Sequence, residues 1–493
     1  MMRNKPNTCS RYLMLVEAIA FATLCVVASH HFGIVDGLKI TAAYLVAYLV
    51  PRVTLTRCRG TSTGALVALF VLAVILISID YYRLEKWTLF DDFSLQMPNL
   101  GGDSRLYYKW ALNKYNGSVE PGQVIFPGFP LIMLGLWKVF GLSVVWPQAL
   151  NLMCTLTSVV LTGMTTRRLL SHRVSQSPRT LVIGGIVLSS LLLYFLMLGT
   201  SMLKEGSIFL SVSLAGFVLA ALAAPDEERH HWWRDLLLFV LACAPLALVR
   251  TTFLYFIALG VVIIVLPTWR RDWRPALVML AAVGASLLLG NYLSAYSFDR
   301  HAEIASGGWN MQRFYVMSES QQFYHDLLNY YFLYSPWHKL IMLPLTMSVQ
   351  FIIPFPWVYY ETPSFLNVLS RMTYGWYFVG GTALFYYLFI SWRRGSGMGI
   401  WPWWPAASFA VIAYVMAGSV ARYVTPIEPL FVPVAMYVLC RIAEGRWRKA
   451  YTVWCIIFVV LVAAVLVLCL EVQQGTISQM LHTQSLVQYL RTL

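Results

Sequence analysis

The chain reads as an all-α polytopic membrane protein, and three observations predict this. Of its residues, 59% are hydrophobic and 12% are charged, about half the charge a soluble domain carries. Apolar runs recur from end to end, each close to the ~20 residues that cross a bilayer as a helix. Basic residues cluster in alternate gaps between those runs, the pattern that fixes membrane orientation. Inside hydrocarbon, a helix is the only way such a run satisfies its own backbone.

About 13 spans follow in order, near 13–31, 36–51, 63–80, 145–165, 180–199, 207–224, 235–249, 251–266, 275–296, 373–391, 403–421, 429–443 and 451–470. The first has charged flanks (Arg3, Lys5, Arg11) but no small-residue cleavage site, so it reads as a retained span, not a removed signal peptide. Arg52, Arg57 and Arg59 close the second span on the inner side. The 63–80 run then leads into the longest hydrophilic gap of the N-terminal half, the first outer loop at 81–144. Within it, residues 128–141 are apolar but short, opened by Pro127 and Pro130 and closed by Gly141, as for a helix lying in the interface. Arg167, Arg168, Arg173 and Arg179 end the 145–165 span inside. A tight outer turn at 199–206 separates the next two spans, and another at 250–252 the two after those. Arg270, Arg271 and Arg274 precede 275–296, and a second large outer loop fills 297–372. Residues 340–358, broken by Pro344, Pro354 and Pro356, read as an interfacial or re-entrant stretch. Arg393 with Arg394, and Arg441 with Arg446, Arg448 and Lys449, mark the last inner loops. Trp232, Trp233, Trp401, Trp403 and Trp404 in those loops look like interfacial anchors. The reading is one transmembrane domain over 1–470 and a short tail over 471–493, with no internal repeat.

The net charge of +14 could point to nucleic acid. Its distribution argues against that, because the excess sits in inner-loop clusters that anchor topology while the outer side balances acids and bases. The eight cysteines lie in spans or on the inner side, with neither a disulfide framework nor metal-type spacing.

The polar chemistry concentrates on the outer face. Gly101-Gly102-Asp103-Ser104-Arg105-Leu106-Tyr107-Tyr108 opens an amphipathic helix (Tyr107, Tyr108, Ala111, Leu112, Tyr115). A carboxylate there can take a proton from an attacking hydroxyl. It can equally be a plain helix N-cap. Asp91 and Asp92 form an acidic pair in the same loop. Lys204 and Glu205 stand where two spans meet, where charge is costly unless paired or working. Arg250 and Arg422 each stand alone at an outer span end, and Arg suits phosphate because its planar fork donates bidentate, charge-assisted bonds. Interface anchoring is the alternative for both. In 297–372, His301, His325 and His338 show no metal spacing, while interleaved aromatics suit either sugar faces or an interfacial belt.

The order Asp103 through Ala111, then Phe126-Pro127-Gly128-Phe129-Pro130-Leu131, then a helix ending at Gly141 resembles the first outer loop of integral-membrane glycosyltransferases of the type-C fold. The protein O-mannosyltransferase and aminoarabinose-transferase branch is the nearest likeness. Gly418 through Pro429, with Arg422 and Tyr423, resembles a second segment of such proteins. The resemblance implies a type-C glycosyltransferase fold and an enzyme using a polyprenyl-phosphate sugar donor. The acceptor would be a glycan, lipid or protein on the outer face. Separately, the missing disulfides and the short arginine-rich loops suggest a bacterial inner membrane with that face periplasmic, an endoplasmic-reticulum membrane being the alternative. The resemblance also implies Asp103 as the catalytic carboxylate, acting as general base or as ligand of a divalent metal (Mg or Mn). On their own chemistry Lys204, Glu205, Arg250 and Arg422 are the candidate substrate contacts, with Asp92, Tyr107 and Tyr423 beside them. Two other readings stand beside it: a polymerase or ligase of lipid-linked oligosaccharides, and a lipid or oligosaccharide transporter. Transporters place polar groups mid-span and often carry inverted repeats. Here Glu17 is the main mid-span charge, which favours outer-face chemistry.

Overall fold

The computed structural model describes residues 8–58, 61–88, 102–117, 128–223, 232–265, 274–293, 340, 343, 383–384, 386–388, 397–416, 424–445 and 447–473. Among these residues every regular element is helical. In order they are α1 (Thr8–Phe32), α2 (Ile34–Thr56), α3 (Thr63–Thr88), α4 (Gly102–Tyr115), α5 (Gly128–Phe140), α6 (Val145–Leu170), α7 (Pro178–Ser190), α8 (Leu193–Gly199), α9 (Glu205–Ala223), α10 (Trp232–Val249), α11 (Thr252–Val265) and α12 (Arg274–Leu293). After a gap in the description come α13 (Trp403–Met416), a 3-10 turn (Thr425–Leu430), α14 (Val432–Ala443) and α15 (Arg448–Gln473). Six of them, α1, α2, α3, α6, α9 and α12, contain stretches long and apolar enough to cross a bilayer. The chain is a multi-pass, all-α membrane protein whose exposed apolar helix faces contact lipid.

Helices α6 and α9 form the centre and are buried along most of their length. α6 carries many hydroxyls, yet its backbone stays helical because they bond back one turn: Ser158 to the Cys154 carbonyl at 2.7 Å, Thr162 to Ser158 at 2.8 Å, Thr166 to Thr162 at 2.8 Å. Small residues then let helices close in, since hydrocarbon gives helices no hydrophobic drive toward one another. Where α6 crosses α7, a Cβ on Gly185 would lie 2.7 Å from the Gly163 Cα. Glu17 in α1 is neutralised inside the bundle: the Arg52 guanidinium of α2 sits 2.9 Å away and the Tyr48 hydroxyl donates to it at 2.5 Å.

Contacts sort the described bundle into two ends. At one, the last turns of α3, the start of α6, the 199–206 turn, α4, α5 and the α10–α11 corner meet. At the other, the arginine-bearing loop after α6 meets the end of α14.

Three sequence expectations change on inspection. The 180–199 run is two helices, α7 and α8, with a break at Leu191 and Leu192. Ser189 and Ser190 send their hydroxyls to the Gly185 and Ile186 carbonyls at 2.7 and 2.9 Å, and the chain tightens into three-residue closures from Leu191 to Leu188 and Leu192 to Ser189. The 429–443 run begins in the 3-10 turn and becomes α-helix only at Val432. Trp401 and Trp404 are not interfacial anchors. Each is 1% exposed, with its indole N–H donated inward, Trp401 to the Leu430 carbonyl at 3.2 Å and Trp404 to the Phe256 carbonyl at 2.8 Å.

Candidate functional site

The site is built around the 199–206 turn. The break after α8 leaves carbonyls without helical partners, and in an apolar bundle these need donors. Arg83, near the end of α3, supplies them: its guanidinium donates to the Met197 carbonyl at 3.2 Å and to the Thr200 hydroxyl at 3.0 Å. It also holds the buried Asp80 carboxylate at 3.1 Å. From the opposite side, the Asn151 amide of α6 donates to the carbonyls of Ser201 at 2.5 Å and Leu203 at 2.7 Å. Gly206 makes room for it, because a Cβ there would lie 2.7 Å from Asn151 Oδ1 and 2.9 Å from the Gly199 carbonyl. The turn is thus clamped from α3 and from α6.

The clamped turn presents Lys204 and Glu205. Both are buried, at 6% and 1% exposure. Glu205 is the first residue of α9, where the helix dipole favours a carboxylate. The Lys204 ammonium lies 5.5 Å from the centroid of the Tyr107 ring, within cation–π range. Tyr107 in turn meets Phe129 of α5 edge-on, with centroids 5.8 Å apart. The start of α5 fits against α10, for a Cβ on Gly128 would lie 3.0 Å from the Leu248 Cβ. Two residues past Leu248 stands Arg250, half-buried at the α10–α11 corner.

The amphipathic helix expected after Asp103 is α4. Tyr107, Tyr108 and Ala111 are buried, and Ser104 is fully buried. Asp103 is its second residue, four before Tyr107, so helical geometry sets both positions on one face. Tyr108 faces elsewhere: it lines a cleft of about 330 Å³ with Asp36, Lys39 and Ser143, and burial raises its phenol above the ordinary range. The interfacial helix expected at 128–141 is α5, with Phe129, Met133 and Trp137 buried and Leu131, Val139 and Phe140 exposed. Gly141, at φ 86°, ends it by returning its N–H to the Trp137 carbonyl at 2.9 Å.

Tyr107 and Lys204, predicted separately, are in contact, and Glu205 and the Asp103-bearing helix are beside them. Arg250 stands at the end of α10, the helix against which the start of α5 packs. Asp92, Arg422 and Tyr423 lie outside the described residues, as do all but Leu340 and Leu343 of the 297–372 loop. The side chain of Asp103 is likewise not among those described. Among the described residues no three His, Cys, Asp or Glu side chains come close enough to hold an ion. The Mg or Mn expectation gains no ligand set here, and no step below passes through a metal.

Sequence reasoning missed Asp80, Arg83, Gln148 and Asn151. The signal for the first two was an acid and an arginine three residues apart at the end of an apolar run. For the others it was two amides three residues apart in the first turns of α6. Gln148 is 0% exposed, and among the described residues neither of its amide atoms has a hydrogen-bond partner. The chain matches no protein-family model, no curated protein and no solved structure.

Proposed function

We propose that this chain is a membrane glycosyltransferase of the type-C fold, with about 13 spans, that moves a sugar from a polyprenyl-phosphate donor to an acceptor on the periplasmic face of a bacterial inner membrane. The observation that carries the reading is the contact between Tyr107 and Lys204. The helix that bears Asp103 packs against the turn that bears a buried cation, at one polar end of an apolar bundle.

The reaction needs two things of the protein. An acceptor hydroxyl must lose its proton as its oxygen bonds to the anomeric carbon, and the Asp103 carboxylate takes that proton. The bond from that carbon to the phosphate oxygen breaks, and the departing polyprenyl phosphate carries the electron pair. Lys204 meets the negative charge that develops on it, as preorganised cations do best where water is excluded. Arg250 and Arg422 are the further cations assigned to the phosphate, Glu205 and Asp92 the acids assigned to sugar or acceptor. Tyr107 holds Lys204 in place, and Tyr423 neighbours Arg422. Asp80, Arg83 and Asn151 keep the turn rigid and touch no substrate.

The test is transfer by the purified chain in proteoliposomes, with a panel of polyprenyl-phosphate sugars. Asp103→Asn keeps the shape and removes the base, so transfer is lost while expression and melting stay at wild type. Undiminished transfer by Asp103→Asn would remove that carboxylate from the mechanism. No transfer from any such donor by the wild-type chain would count against the donor class.

A further inference from the structure

At the end of the bundle opposite the candidate site, the loop at 171–177 and the last turn of α14 border an open cleft of about 460 Å³, lined by His172, Arg173, Ser175, Arg441 and Glu444. Most of its charge is internally spent. The Glu444 carboxylate accepts from Arg441 at 2.7 Å and from the Ser175 N–H and hydroxyl at 3.2 and 3.0 Å. Arg441 also donates to the Arg173 carbonyl at 3.0 Å and lies over the Tyr437 ring at 5.0 Å. One acid and one base cancel, and together they lock the loop to α14.

Arg173 remains. Among the described residues its guanidinium makes one long bond, to the Ala223 carbonyl at 3.4 Å, and its buried Nη1 has no hydrogen-bond partner. A buried charged donor without an acceptor is expensive. Burial lowers the pKa of Arg173 from its ordinary value, the mark of a cation short of counter-charge. Beside it stands the exposed His172, a second donor when protonated. The cleft that Arg173 and His172 line is open to an anion with several acceptor oxygens.

We propose that this cleft binds a phosphate ester, seated on Arg173 with His172 at the rim, supplied by the headgroup of an anionic lipid or by a soluble ester. Arginine's fork suits phosphate oxygens, and basic pockets between helix ends at a membrane surface suit lipid headgroups. This assignment is independent of the glycosyltransferase reading, because it concerns the other end of the molecule.

The full chain is placed in phosphatidylcholine nanodiscs, and phosphatidylglycerol or glycerol phosphate is added. Thermal melting and native mass spectrometry then read out binding. Phosphatidylglycerol raises the melting temperature and persists as an adduct. Arg173→Gln weakens that binding about ten-fold, the loss of one charge-assisted hydrogen bond. Arg179→Gln, an exposed arginine at the same end, leaves it unchanged. If Arg173→Gln fails to fold, Arg173→Lys keeps the charge, loses the fork and weakens binding by less. Equal protection by glycerol phosphate makes the ligand a soluble ester, and protection by phosphatidylglycerol alone makes it a lipid. Protection by neither, or equal losses in Arg173→Gln and Arg179→Gln, overturns the proposal.

Discussion

Asn151 is the residue on which the shape of the candidate site most depends. Its amide is the described donor for two carbonyls of the 199–206 turn, and nothing apolar can replace it. Asn151→Ala should cost about 2 kcal/mol, the usual penalty for buried groups left without partners. Thermal unfolding in detergent would read it, and donor use should fall with it because Lys204 rides on that turn. Gln148, one turn earlier, makes no such bonds, so Gln148→Leu should leave the melting temperature near wild type. Glu444 makes a pH prediction. Its hydrogen bond from Arg441, with help from Ser175, holds its carboxyl below the ordinary range. The stability it contributes is therefore present above the unfolded-state value, about pH 4.3, and is lost as pH falls through the lower folded value. Melting temperature should decline on acidification below about pH 4, and Glu444→Gln should flatten that decline. A slope unchanged in Glu444→Gln would assign it to other carboxylates.

At the scale of elements, the sequence announced helices more faithfully than it announced their breaks. Apolar length alone marks α1, α2, α3, α6, α9 and α12, because a bilayer-sized run leaves few alternatives. The α7–α8 break was hidden, since two serines among leucines do not interrupt hydropathy; they act by taking carbonyls one turn back. Trp401 and Trp404 misled for the opposite reason. A tryptophan beside arginines at a span end is an anchor by composition, and only packing shows the ring turned inward onto Phe256 and Leu430. Of the candidate site, Lys204 and Glu205 were legible as charges out of place and Tyr107 as part of an amphipathic face. Arg83 and Asn151 were not, because the carbonyls they hold lie far away in sequence, and Asp80 goes with Arg83, its partner three residues on. The α6–α7 crossing also depends on what is missing, a pair of side chains. Gly185→Leu must push α7 off Gly163 and Thr166, so folded yield should fall several-fold, whereas Gly135→Leu, with open space around it, should not change it.

At the scale of the whole molecule, the two ends differ in what they can do. One gathers a turn with buried Lys204 and Glu205, the aromatic face of α4 and the Arg250 corner. The other gathers the arginines of the loop after α6 and of the end of α14, and clusters of this kind fix orientation in multi-pass membrane proteins. A polyprenyl-phosphate sugar can be used on the far side of the membrane only if these ends face opposite compartments. Single cysteines placed at Asn116, exposed just after α4, and at Ser175, exposed in the loop after α6, test that in a background lacking the native thiols. In intact cells an impermeant thiol reagent should modify the first and spare the second, and opening the cells should expose the second. If both react from the same side, the bundle does not separate the two ends, and the donor reading fails with it: a sugar handed over at Asp103 would then never have left the compartment in which it was activated.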